Sequence, residues 1–146
     1  MRVWRIEHTD GRGPYHNPDP MQQCACTPDE WLRCDHPDPV YSDEQMACIT
    51  LAEDMEGEHT DFTHPIPYSR KNERDLCDVW TRAYSCCFTS VEQMAAWFDG
   101  WLPRLRECGY LLTEWEADEA DVLIGQYQAG FLRPKATLIS SAPVGD

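Results

Sequence analysis

Six prolines, Pro14, Pro18, Pro20, Pro28, Pro37 and Pro39, fall in one stretch of the chain, interleaved with aspartate and asparagine. Proline has no amide hydrogen and fixes φ, so neither a helix interior nor a central strand can run through such a segment. Residues 14–39 are therefore expected to be irregular, with room for a short turn only near Glu30-Trp31-Leu32. A compact domain seldom carries so long a loop unless the loop is functional or mobile. Regular structure has to come from the flanks.

Val3 to His8 alternates, with Trp4, Ile6 and His8 on one side and Val3, Arg5 and Glu7 on the other. That predicts a strand whose apolar face is Trp4 and Ile6, ended by Gly11-Arg12-Gly13-Pro14. After the loop, Ser42 with Gln45 three residues on has the pattern of a capping box. Met46, Ile49 and Glu53 would share one face of the helix, and Gly57 would stop it. Leu76 to Cys87 reads equally as a short helix or a strand. Ser90 and Gln93 repeat the cap pattern, followed by Met94, Trp97, Phe98 and Trp101 at helical spacing. Gly100 and Pro103 break this helix, and a second short one runs through Leu105 to a glycine cap at Gly109. Tyr110 to Glu116 and Val122 to Phe131 read as two strands around the acidic turn Ala117–Asp121, paired as a hairpin. Thr137-Leu138-Ile139 is a last short strand, after which residues 140–146 fray.

The expected fold class is α+β. A small antiparallel sheet carries one or two helices on a face, with a long Pro-rich loop region, in a single domain over residues 1–146. Trp97 and Phe98 should be buried against the first strand and the hairpin.

Charge is distributed unevenly. The net charge is −14, and fifteen of the 26 acids lie in two windows without Lys or Arg, Cys34–Ser69 and Glu107–Leu132. The remaining 11 acids nearly balance the 12 bases. Such a field repels nucleic acid and steers basic surfaces toward it. The candidate partner-binding residues are Asp43, Glu44, Glu53, Asp54, Glu56, Glu58 and Asp61 in the first window, and Glu114, Glu116, Asp118 and Glu119 in the second. The competing explanation for such charge is plain solubility. Aromatic residues make up 11% of the chain, which argues against a disordered acidic tail. No apolar run approaches the roughly 18 residues of a membrane span, and Met1–His8 lacks the apolar core of a signal peptide. The expected location is the cytoplasm of the host cell.

Eight cysteines need an account. Without a signal segment, reduced thiols are the default. Cys86 and Cys87 would point to opposite faces of a strand and act as small buried apolar groups. Cys24-Ala25-Cys26 and Cys34-Asp35-His36 supply the four thiolate and imidazole ligands that zinc takes. Their single-residue gaps are shorter than the two to four residues usual between paired ligands, so the expectation is no metal, with zinc the alternative. Phosphate-cradling glycine loops, nucleophile elbows and His-Glu-x-x-His are all missing.

Val3-Trp4-Arg5-Ile6-Glu7-His8, Gly13-Pro14-Tyr15, His36-Pro37-x-Pro39, Cys87-Phe88-x-Ser90-x-Glu92-Gln93-Met94 with Trp97-Phe98, and Gly109-Tyr110 together resemble a family of small phage and prophage proteins without an assigned activity. The resemblance implies phage origin. The layout is also similar to ADP-ribosyltransferase-like domains, in which an Arg or His on the first strand and a Glu or Gln near a late strand frame the nicotinamide of NAD. Here those residues would be Arg5 or His8, Tyr15, Ser90, and Gln126 or Gln128, with glutamine where a transferase normally has glutamate. Two functions follow as expectations. The first is a phage inhibitor of a host nucleic-acid-binding defence complex, anti-CRISPR-like, whose acidic face occupies a basic groove, with no cofactor and no direct contact to nucleic acid or membrane. The alternative is an ADP-ribosyltransferase-like enzyme using NAD.

Overall fold

The computed structural model describes residues 1–60, 63–65 and 80–145. In chain order its elements are β1 (Arg2–Glu7), α1 (Asp43–Glu58), β2 (Ser85–Cys87), α2 (Val91–Trp97), α3 (Leu102–Glu107), β3 (Leu111–Glu116), β4 (Val122–Ile124), β5 (Ala129–Phe131) and β6 (Thr137–Pro143), an α+β fold. The Pro-rich stretch holds only a 3₁₀ turn, Pro28–Arg33, and a bridge between Gln22 and Val40. None of the described helices is long and apolar enough to cross a membrane.

Among the described residues the strands form two antiparallel three-stranded sheets, ordered β1-β3-β6 and β2-β5-β4. They touch through one bridge, where Trp4 and Phe88 exchange backbone hydrogen bonds of 2.9 and 2.8 Å. Along β6 the register slips: Glu114 faces Ser140 but Trp115 faces Leu138, so Ile139 is an extra residue in a β-bulge.

The expected hairpin between Tyr110–Glu116 and Val122–Phe131 does not form. The second segment is not one strand, because the chain turns at residues 125–128 and its two ends pair with each other as β4 and β5. Gly125 marks that turn. β3 is instead the centre of the first sheet, between β1 and β6. Nor does the chain fray after Ile139: β6 continues to Pro143, and Val144 is buried with its amide on the Tyr110 carbonyl.

Two apolar clusters flank β1. On one side Ile6 meets Leu51 and Met55 of α1, Met94, Trp97 and Phe98 of α2 and its cap, Leu105 of α3, Tyr110 and Val144. On the other side Val3 meets Trp115, Cys87, Val122, Ala129 and Phe131, between the two sheets. Burying Trp97 and Phe98 against β1 bears out the helical pattern, although the second wall is helix rather than hairpin. In α1 the Ser42–Gln45 capping box forms in both directions. The buried face, however, is Cys48, Ile49, Leu51, Ala52 and Met55, while Met46 and Glu53 point outward. In α2 Ser90 accepts from the Gln93 amide, but the Gln93 side chain closes on Thr89 rather than on Ser90. Gly109 ends α3 at φ +83°, a left-handed conformation suited to glycine.

Because the second sheet covers it, the Val3–Arg5–Glu7 side of β1, opposite the Trp4–Ile6 face, is buried too. Its charges are satisfied internally. Glu7 accepts from Arg5 Nε at 2.8 Å and takes two bonds of 3.0 Å from Arg133 Nε and Nη2. The Arg133 guanidinium lies 4.7 Å from the centre of the Trp115 ring. A buried carboxylate held by two guanidiniums makes up for the lost hydration that a lone buried charge could not bear.

Candidate functional site

Past the Trp4–Phe88 bridge the sheets part. A continued ladder would next pair Ile6 with Cys86. Instead Arg5 inserts its guanidinium, donating from Nη1 to the Cys86 carbonyl at 2.6 Å and from Nη2 to the Gly11 carbonyl at 3.1 Å. The opening is a cleft of about 870 Å³, walled by Arg5, Tyr15, Trp80, Cys86, Trp97 and Gln128 among others. That volume lies in the range of small-molecule sites, which are mostly apolar with a few fixed polar groups. Trp80 lies so close on Gly130 of β5 that a Cβ there would come within 2.2 Å of the indole, so glycine is what lets this wall sit flat.

One end of the cleft carries a hydrogen-bonded relay. Trp97 Nε1 donates to the Tyr15 hydroxyl at 2.8 Å, and Tyr15 donates to Nδ1 of His59. The His59 ring stacks on His64 at 3.6 Å, and Nε2 of His64 bonds the Trp97 carbonyl at 2.9 Å. Burial, reinforced by the neighbouring His64, lowers the His59 pKa to about 4. At neutral pH its ring is therefore uncharged, which suits Nδ1 to accept the Tyr15 proton. Burial also raises the Tyr15 pKa and keeps the phenol protonated. Glu56 of α1 reaches the same cleft.

Of the residues singled out for nicotinamide binding, Arg5, Tyr15 and Gln128 converge on this cleft. Gln128 is 4% exposed. The others do not join them. His8 packs edge-on against Tyr110 at 5.4 Å, Ser90 is a helix cap, and Gln126 offers its backbone carbonyl to Gln93. The acidic candidates scatter. Asp43, Glu44, Glu53, Asp54, Glu56 and Glu58 all stand exposed on α1, where Asp54 pairs with Arg104 at 2.8 Å. Glu114 and Glu116 are engaged by Arg2, and Glu116 also by the N-terminal ammonium, whereas Asp118 and Glu119 are exposed. Asp61 and the Leu76–Val79 part of the ambiguous segment lie outside the described residues; Ser85–Cys87 is a strand.

The cysteines thought too closely spaced for a metal do come together. Ligand atoms of Cys24, Cys26, Cys34 and His36 all lie within 4.8 Å of one another. Cys24 Sγ is 3.2 Å from Cys34 Sγ, and Cys26 Sγ is 3.4 Å from His36 Nδ1. The spacing argument overlooked pairing across the loop: the sulfur–sulfur and sulfur–imidazole contacts join residues ten apart. The Cys26 amide, helped by Cys34 and His36, lowers the Cys24 pKa to about 6, while burial and the neighbouring thiols push Cys26 up to about 11.

The family model for the Bacteriophage T4 Y00F protein matches residues 1–145. The chain belongs to this phage protein family. No curated protein and no solved structure matched it. In this Y00F-family protein, sequence reasoning found Arg5, Tyr15 and Gln128 but missed His59, His64, Trp80 and Glu56 as neighbours of the cleft. Nothing near His59 and His64 in sequence shows Tyr15 and Trp97 closing on them. Glu7 and Arg133, which hold Arg5 in place, were equally invisible.

Proposed function

We propose that this protein binds NAD in the cleft between its two sheets and acts as an ADP-ribosyltransferase-like protein. The observation that carries this is the convergence on one cleft of Arg5, Tyr15 and Gln128, which fall among the positions that the layout of such domains offers, Arg5 or His8, Tyr15, Ser90, and Gln126 or Gln128. The chemistry of the walls fits the ligand. Trp80, Tyr15 and Trp97 offer flat apolar surfaces to a planar ring, and the Gln128 amide can bond a carboxamide or ribose hydroxyl. Arg5 supplies fixed positive charge; its three bonds to Glu7, Cys86 and Gly11 use three of the five guanidinium N–H groups. NAD, when bound, supplies a ribose carbon whose bond to nicotinamide can be exchanged for one to an acceptor. Glutamine cannot take up a proton, whereas the Glu56 carboxylate, which also lines the cleft, can accept one from that acceptor.

Titration with NAD, followed by the fluorescence of the cleft tryptophans, tests the reading. Saturable quenching is expected, weakened about tenfold in Gln128→Ala, the equivalent of about 1.4 kcal/mol. Label from NAD should appear on a host protein in lysate. A folded chain that shows no saturable response at millimolar NAD would sink it.

A second reading rests on a separate observation. Among the described residues, α1 exposes six acids, of which one, Asp54, meets a cation. Such a face suits the basic groove of a host nucleic-acid-binding complex, a CRISPR effector for example, and supports an inhibitor acting by charge mimicry. The exposed Asp118 and Glu119 would extend it; the paired Glu114 and Glu116 contribute less.

A further inference from the structure

We propose that Cys24, Cys26, Cys34 and His36 form a structural zinc site, a Cys₃His centre that folds the Pro-rich loop. The first ground is burial. From Met21 to Val40 every residue is exposed except these four. The segment has no apolar interior, its 3₁₀ turn buries nothing, and Trp31 and Leu32 at its tip are 61% and 96% exposed. A loop ordered around four ligand-type side chains and nothing else owes its shape to what those side chains can bind.

The second ground is geometry. Zinc takes tetrahedral thiolate and imidazole ligands at about 2.3 and 2.0–2.1 Å, which puts S–S edges near ~3.8 Å and S–N edges near ~3.5 Å. The observed contacts of 3.2 and 3.4 Å, with all four atoms inside 4.8 Å, need only small adjustments to reach that figure.

The third ground is the orientation of His36. Its Nε2 lies 2.5 Å from the Trp31 carbonyl, an acceptor, so Nε2 carries the proton and Nδ1 turns a bare lone pair toward the sulfurs. A backbone carbonyl on the far ring nitrogen is the usual support of a metal-bound histidine. The Trp31 indole packs on the same ring at 4.0 Å. His36 also has a φ of +44°, in the left-handed region, the single non-glycine case among the described residues. That conformation costs energy which the unpartnered loop has no packing to offset, and it brings the His36 amide to the Cys34 sulfur at 3.4 Å.

Four protein ligands close the coordination sphere, so the ion would stabilise the loop rather than activate water. Binding displaces the protons of the three thiols to solvent, and its free energy becomes folding energy of the segment. The site lies outside the NAD cleft and does not depend on that reading.

Untagged full-length protein, purified from zinc-supplemented cells, should contain about one zinc per chain by elemental analysis. Cys34→Ser and His36→Ala should each lower this at least tenfold, while Cys108→Ser should not. Chelation should make the Met21–Val40 segment protease-sensitive. It should leave the thermal transition of the remainder in place, since none of the apolar cluster residues comes from that segment. Because a variant could lose metal by unfolding, stripped wild-type protein refilled with Co²⁺ provides the independent readout: intense d–d and thiolate charge-transfer bands of a tetrahedral sulfur site at one equivalent. Zinc below a tenth of an equivalent together with no cobalt bands, or a Cys24–Cys34 disulfide in protein kept free of oxidant, would overturn the proposal.

Discussion

Arg5 joins three parts of the molecule through one guanidinium: Glu7 on its own strand, the Cys86 carbonyl on the other sheet and the Gly11 carbonyl in the turn after β1. The alternating pattern marked Arg5 and Glu7 as one side of a strand, opposite its apolar face. Nothing local announces Arg133, which meets Glu7 across 126 positions of sequence. His59 is similar, since its low pKa comes from burial and from His64, facts of the fold alone. Its effect on stability has a definite sign. An unfolded histidine titrates near ~6.5, and in the folded chain His59 does so at about 4. Well above pH 6.5 both states are neutral and nothing is lost. As pH falls from about 6.5 toward 4, the unfolded chain gains a proton that the folded one refuses, and stability declines. Urea midpoints measured from pH 7.5 to 4.5 should therefore fall more steeply in wild type than in His59→Gln. Parallel curves would show that His59 is charged in the folded protein.

At the scale of elements, local signals succeeded where the information is local. The Ser42 and Ser90 caps, the aromatic spacing of α2, the Gly109 stop and the alternation of β1 all depend on residues within a turn of each other. Strand pairing is not local. Tyr110–Glu116 has partners on both edges, and its sequence cannot distinguish β1, β6 or the segment that follows it. The hairpin was the shortest connection available and the wrong one, because the following segment turns at Gly125 and satisfies itself. The cluster of Cys24, Cys26, Cys34 and His36 was half legible. Its four residues were identified, but pairing across the loop was hidden behind the spacing within each arm. For α2 the consequence is measurable. Trp97 is 6% exposed, packs between Phe88 and His64, and anchors Tyr15 through its indole N–H. Trp97→Ala should cost roughly 3–5 kcal/mol in denaturant unfolding, and a variant that unfolds at the wild-type midpoint would show α2 to be peripheral.

For the molecule as a whole, the sequence disclosed the class, α+β, and the excess of negative charge, but not how much of that charge stays free. Arg2, the N-terminus and Arg104 engage part of it, while five acids on the outward face of α1 and the exposed Asp118 and Glu119 meet no cation among the described residues. Reversing Asp54, Glu56 and Glu58 together to lysine should release a captured host nucleic-acid-binding complex at low salt, as raised salt does for wild type. The thermal transition should move little, since exposed charges contribute at most about 1 kcal/mol each. Retention that neither salt nor reversal disturbs would remove α1 as the contact face. The bulge at Ile139 bears on a different hazard. β6 is an outer strand whose side chains, Leu138 and Ile139 included, are exposed, and such an edge invites a second chain to add to the sheet. The extra residue leaves two residues of β6 before it and four after it, so an incoming straight strand keeps register with one part only. A kink of one residue thus discourages the sheet from growing into an aggregate.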